Sequence, residues 1–411
     1  MNILVLNSGS SSQKAAVYSV AGSLGEDPRE PAWQGKIEWD GARAEIQVRN
    51  HRGARISNQV EVPSRKQATA QLLESIWSGP AAVAKSPSEI SIAGHRVVNG
   101  GRELREPAIV TPQVKAAIER MAIFAPLHNR AELDGIETVE QKCGSARQVA
   151  VFDTAFHTQI PDAAAVYPGP YEWLQQGIRR YGFHGINHQY CAQRAAQMLG
   201  KDLRSLRLIT CHLGNGCSLA AIRDGHSVDT TMGFTPLEGL MMGTRSGSVD
   251  PGILTHLMRH EDLSGKQIDD LLNKRSGLLG ISGLSSDMRQ IVAAMKQGNA
   301  RARLAFDIFV HRLRSGIGAM AAVLGGADVL VFSAGIGENS PEVRAEACED
   351  FEYLGMQLDA RKNAQPKLDA DISGAQSSVR VLVIRAQEDW AIARECWRLA
   401  TSDGKGRAVV S

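Results

Sequence analysis

The segment LVLNSGSSSQKAA, residues 4–16, runs an apolar strand straight into Ser8, Gly9, Ser10, Ser11, Ser12 and Lys14. A strand that turns through Gly9 exposes backbone N–H groups, the serine hydroxyls add donors, and Lys14 supplies a point positive charge. Close backbone approach, several donors and one cation suit a bound phosphate. The same residues also make an ordinary turn, and the GxxxxGK[ST] spacing is absent. Taken alone, they leave a phosphate site and a plain hairpin both open. A second stretch, LITCHLGNGCSLAAIRDG at 208–225, repeats the plan of strand, small-polar turn and strand. Each turn opens with a polar residue two before a glycine: Asn7 and Gly9, then His212 and Gly214. Two like domains, each presenting such a hairpin, would hold a nucleotide between them.

The elements that must position these turns follow from pattern and length. A chain of 411 residues is expected to form two domains rather than one core. Strands are expected over 3–6 and 15–20, with further antiparallel strands near 33–49 and 54–62. TPQVKAAIERM, 111–121, reads as a helix with Thr111 as N-cap and Pro112 at its first position. Helices are also expected over 188–200, stopped by Gly200, and over 300–326, closed by Gly325 and Gly326, before a strand at 329–332. Strands alternating with helices mean an α/β protein. The formal net charge of +2 gives no general attraction for nucleic acid or an anionic membrane, so a bound anion must be held by local groups. The six cysteines form no CxxC pair and no metal-ligand spacing with histidine, which reads as reduced, mostly buried thiols in a cytoplasmic protein. With no basic leader before an apolar stretch and no run near the roughly 18 apolar residues of a spanning helix, a soluble, unprocessed chain is expected.

Several further segments are too unusual for generic readings: GHRVVNGG (94–101), FAPLHN (124–129), VFDTAFH (151–157), YGFHG (181–185), HLGNG (212–216), DTTMGFTPLEGLMMGTRSG (229–247), SGLLGISGLSSDMR (276–289) and AGIGENSPEVR (334–344). With NSGSSSQK (7–14) and EDWAIAREC (388–396), these blocks resemble, in order and spacing, the acetate kinase (acetokinase) family. That family lies within the superfamily of acetate and sugar kinases, Hsp70 and actin. The resemblance covers practically the whole chain. It implies two ribonuclease-H-like, actin-like ATPase domains, 1–155 with 388–411 and 156–387, with a nucleotide cleft between them. It also implies ATP or ADP as substrate with Mg²⁺ or Mn²⁺, reversible phosphoryl transfer to acetate giving acetyl phosphate, and a homodimer. The 7–14 hairpin would be the first phosphate loop, with Ser10, Ser12 and Lys14 on the nucleotide.

A carboxylate acceptor is already an anionic nucleophile at neutral pH and needs help approaching another anion, for which forked arginines are the suitable side chains. The resemblance assigns that part to Arg96 and Arg245, and assigns His184 to the transferring phosphoryl group. His128 falls near the same site. Asp153 would invite a general-base role in a sugar kinase; for a carboxylate acceptor it is expected to position and to act electrostatically with Mg²⁺. Glu388 and Asn7 match the metal neighbourhood, where few protein ligands are expected because Mg²⁺ keeps most of its waters. His212, Gly214, Asn215 and Gly216 match the second phosphate loop. Asp287, Met288, Arg289, Gly335, Ile336, Gly337 and Asn339 match the adenosine pocket, with AGIGEN expected to lead into a helix at Pro341 whose N-terminus suits an anion. Val98, Leu127, Phe183 and Pro236 match the apolar patch around the acetate methyl.

The chain departs from the family pattern at Asn99, where histidine is usual, at Arg130, where proline is usual, at Ile186 and Asn187, where Thr-Ser is usual, and at Arg385, Ala386 and Gln387, where Pro-Thr-Asn is usual. Two rival readings stand beside acetate kinase. One is a kinase for propionate or another short-chain carboxylate. The other is an actin- or Hsp70-like ATP-driven binding protein, for which little length remains beyond the two kinase-like domains.

Overall fold

The computed structural model describes residues 1–401 except 10–11, 23, 41–42, 63 and 122–125, and, of 40 and 126–128, the backbone only. The chain divides into two compact units, Met1–Ala155 with Gln387–Ser411, and Phe156–Ala386.

The first unit is built on an eight-stranded sheet. Its strands are β1 (Asn2–Ser8), β2 (Ser12–Ser19), β3 (Trp33–Asp40), β4 (Arg43–Asn50), β5 (Arg55–Glu61), β6 (Ile90–Val97), β7 (Ala108–Ile109) and β8 (Arg147–Phe152). Their order is β5-β4-β3-β2-β1-β6-β8-β7. The apolar run of β1 is buried because it is central and covered on both faces. Leu4 and Leu6 share a core cluster with Ala68 and Leu72 of helix Arg65–Glu74 and Val139 of helix Pro126–Lys142. The opposite face carries helix Glu388–Thr401, whose Trp390 meets Tyr18 edge-on with ring centroids 5.4 Å apart. That helix seats closely on β6 because position 94 is glycine: a Cβ there would lie 2.5 Å from Cys396 Sγ and from Ile392 Cγ2.

The second unit has a six-stranded sheet, ordered β11-β10-β9-β12-β14-β13. Its strands are β9 (Leu208–Leu213), β10 (Cys217–Arg223), β11 (His226–Thr230), β12 (Val329–Ser333), β13 (Ala370–Asp371) and β14 (Arg380–Val383). Helix Gly185–Leu199 packs on β9 and β12, and the long helix Ala300–Leu324 packs on β10. The β1–β2 and β9–β10 hairpins are equivalent. Each is antiparallel, each is followed outward by a third antiparallel strand, and each first strand has two parallel strands on its other side. The echo between 4–22 and 208–225 is therefore the legible part of a whole repeated sheet, the ribonuclease-H-like arrangement.

Thr111 caps the helix Pro112–Met121, its Oγ1 accepting from Val114 N at 3.3 Å. The helix expected from 188 begins at Gly185, with His184 preceding it in left-handed backbone at φ 58°. AGIGEN is itself a short helix, Ala334–Asn339, and Pro341 starts a separate one. In the shorter helix the first N–H is satisfied internally, Ala334 N donating to Glu338 Oε1 at 3.0 Å. All six cysteines are free and buried. Among the described residues, no helix is long and apolar enough to cross a membrane.

Candidate functional site

In the first unit, the ends of β1, β6 and β8 and the start of helix Glu388–Thr401 bring four expected residues together. Arg96 donates from Nε and Nη2 to Asp153 Oδ2, at 3.1 and 2.5 Å, and from Nη1 to Asn7 Oδ1 at 3.1 Å. Asn7 Nδ2 in turn donates to Glu388 Oε2 at 3.0 Å and to Asp389 Oδ1 at 3.4 Å. Burial works against the charge on Arg96, but Asp153 and Glu388 outweigh it and hold its pKa above the ordinary value. Asp389 is raised by desolvation and by Glu388, against Lys14 and the Asn7 amide. Two carboxylates held side by side are electrostatically suited to a cation, and hard oxygen donors suit Mg²⁺. Asn7 Oδ1 accepts from Arg96, and its amide nitrogen faces the acids. Among the described residues, no group of three or more His, Cys, Asp or Glu side chains is placed to hold a metal.

Ser12 and Lys14 lie in β2 rather than in the turn, with Lys14 opposite Asn7. The turn itself is tight, Gly9 N donating to Ser12 O at 2.7 Å. Val98 is buried, and its N–H is held by both oxygens of the buried Glu132, at 3.1 and 3.2 Å. Ser10 and the side chains of Leu127 and His128 lie outside the described residues.

In the second unit, His184 and His212 stack face to face, ring centroids 4.0 Å apart and 14° from parallel. His184 Nδ1 lies 2.9 Å from Ser218 Oγ, which lies 2.7 Å from His188 Nε2, and His188 Nδ1 lies 2.7 Å from Thr210 Oγ1. The Ser218 hydroxyl has one proton, so at least one of its two imidazole partners donates to it. Burial, together with His157 and His212, drives the His188 pKa well below the usual histidine value and keeps the ring neutral. His184 and Arg245 converge on Gly216: a Cβ there would lie 3.3 Å from His184 Nε2 and 3.4 Å from Arg245 Nη2. Arg245 Nη1 also donates to Pro236 O at 2.7 Å, and the buried Phe183 accepts from His157 Nε2 at 3.1 Å through its carbonyl.

The loop 214–216 is closed by Gly214 N donating to Gly216 O at 2.9 Å, and Asn215 O accepts from Gly243 N at 3.0 Å. Gly214 adjoins Ala334, the first residue of the helix that holds Gly335, Ile336, Gly337 and Asn339. Asp287 and Arg289 are engaged with each other: Asp287 caps helix Met288–Lys296 by accepting from Arg289 N at 2.9 Å, and the Arg289 guanidinium folds back onto it at 2.6 Å. Met288 is buried on the packed face of that helix.

The acetokinase family model matches residues 2–394. The chain belongs to the acetokinase family. An acetate kinase from Cyanothece is 56% identical over 407 residues, covering 98% of this chain and 100% of that one. Among solved structures, an acetate kinase from Porphyromonas gingivalis is 40% identical with a TM-score of 0.90, covering 97% of this chain and 99% of its own. A propionate kinase from Francisella tularensis is 35% identical with a TM-score of 0.88, at the same coverage. Acetokinases are phosphotransferases with a carboxyl group as acceptor, and they use ATP as substrate.

Sequence reasoning passed over Asp389, Glu132, Ser218 and His188. Asp389 is the residue after Glu388, and Ser218 closes the HLGNGC turn, so adjacency to matched motifs was the available signal. Glu132 offered none. It reaches Val98 across 34 positions of sequence.

Proposed function

We propose that this acetokinase transfers the γ-phosphoryl group of ATP to acetate, reversibly, giving ADP and acetyl phosphate. The observation that carries the reading, within the family, is the Arg96–Asp153 pair. Asp153 Oδ2 takes two N–H groups of one guanidinium, so it aims and charges Arg96 rather than serving as a base, and an acetate oxygen needs no base to attack phosphorus. Arg96 holds the acceptor carboxylate. The attacking oxygen bonds to the γ-phosphorus as the bond to the β,γ-bridging oxygen breaks, and that electron pair leaves with ADP. His184 and Arg245 donate to the equatorial oxygens, where charge is spread in the transition state. His212 and the 214–216 loop, with Ser12 and Lys14, hold nucleotide phosphates, and the segments at 287–289 and 335–339 contact adenosine. Mg²⁺, when bound, neutralises phosphate charge; Glu388 with Asp389 would hold it, and Asn7 ties that pair to Arg96.

Val98, Phe183 and Pro236 set acid size, and the structural likeness to a propionate kinase makes propionate the competing acceptor. The deciding measurement is ADP release with acetate, propionate and butyrate in turn, against ATP alone. The highest kcat/KM with acetate supports the reading; preference for propionate reassigns the substrate, and equal release without acid replaces it with an ATPase. We also propose a cytoplasmic homodimer. Six unbridged, buried thiols support the compartment. Helix Pro251–His260 supports the dimer, since none of its residues is buried and Ile253 and Met258 are exposed. Light scattering on wild type and Met258→Glu checks it, with loss of the dimer expected in the variant.

A further inference from the structure

Asn187 stands on the first turn of helix Gly185–Leu199, buried and 1% exposed. Its Nδ2 lies 2.9 Å from His212 Nδ1, and an amide nitrogen can only donate. The other contacts of the amide agree with that orientation: Nδ2 also donates to Ser333 Oγ at 3.2 Å, and Oδ1 accepts from Cys191 Sγ at 3.7 Å. An Nδ1 that accepts carries no proton, so neutral His212 has its proton on Nε2. That nitrogen faces the 214–216 loop: a Cβ on Gly214 would lie 3.7 Å from it. We propose that Asn187 is a positioning residue that fixes His212 as the Nε2–H tautomer, so that the ring offers a donor to a nucleotide phosphate. The opposite tautomer would set a nitrogen lone pair against phosphate oxygens, which are acceptors. This proposal rests on the reading of His212 and its loop as a phosphate site.

The test is long-range ¹H–¹⁵N NMR of histidine side chains in the full-length protein, with His212 assigned by its loss in His212→Gln. Wild type should show His212 unprotonated at Nδ1 and protonated at Nε2. Asn187→Leu, which is close in size and carries no donor, should leave His212 in mixed tautomers. It should also raise the KM for ATP by the inverse of the fraction of His212 left in the Nε2–H form, about twofold for an even mixture, with the KM for acetate unchanged. Asn187→Ser, which returns a donor, should recover most of that loss. A proton on Nδ1 in wild type, or an unchanged tautomer in Asn187→Leu, overturns the proposal. A changed tautomer with an unchanged KM for ATP instead overturns the reading of His212 as a phosphate donor, and the two failures are thereby told apart.

Discussion

Asp153 is 1% exposed, and its Oδ2 is committed to Arg96. A buried carboxylate in that position is stabilised by its partner and in return fixes the direction of the guanidinium, so the pair acts as a unit. Arg96→Ala is expected to lower kcat about 10²- to 10³-fold, the scale of a lost transition-state donor, with ADP affinity by calorimetry within a few-fold. Asp153→Asn should give much of the same loss and leave the pH profile of kcat unchanged, since no base has been removed; a lost titration would make Asp153 the base after all. Asn99 is fully buried beside this pair in sequence but serves another purpose. Its Oδ1 accepts from Gly101 N at 2.8 Å, and its carbonyl accepts from Asn129 Nδ2 at 3.2 Å, which together hold the turn after β6. Asn99→His should therefore keep kcat/KM for acetate within a few-fold and its pH profile unchanged. A large gain, or a new titration near pH 6.5, would show that an imidazole at this position has a chemical role.

At the scale of elements, the site depends on how helix Glu388–Thr401 is seated, because it carries both acids that Asn7 contacts. Gly94 permits that seating, and Gly94→Ala would place a Cβ 2.5 Å from two side-chain atoms of the helix. The expected cost is about 1–3 kcal/mol by urea denaturation, the usual range for overpacking. Cys396→Ala in the same chain should recover part of it by removing one of the two clashing atoms; no recovery would mean that the backbone, not the packing, objects. The hairpins were legible because an apolar strand running into small polar residues is a local signal, and the Thr111 cap and the Gly200 and Gly325 stops are local as well. Helix Gly185–Leu199 was legible only from His188, because the preceding YGFHG is poor in helix formers and His184 is in left-handed backbone. The two-residue strands β7 and β13 carry no periodicity at all. Arg96 and Glu388 could be named from their motifs, but Asn7 meets Glu388 across 381 positions. Such pairings are created by the sheet order, which alternation along one strand does not encode.

Across the molecule, the net charge is near balance, and the response to pH rests on the groups buried in each unit. His95, bonded to Gln148 Oε1 at 2.6 Å, and His157 are each drawn by burial from 6.5 down to about 4, and His188 is lowered as well. The unfolded chain takes up these protons near pH 6.5 while the folded chain resists them. Their contribution to stability is thus full above pH 6.5 and is lost as the pH falls toward 4. Glu132 works in the opposite sense. Burial pushes it from 4.5 up to about 8, so the folded chain keeps a proton that the unfolded chain has released, and its contribution falls as the pH rises through that window. Between pH 6.5 and 4.5 the two effects oppose each other, and each fully shifted group changes the slope by up to about 1.4 kcal/mol per pH unit. Urea midpoints followed through this window should therefore fall less steeply on acidification in His157→Gln than in wild type, and more steeply in Glu132→Gln, from which the opposing group has been removed. Parallel curves for wild type and Glu132→Gln would mean that Glu132 is ionised in the folded protein, held by the Val98 N–H and the charge of Arg96 rather than by its proton.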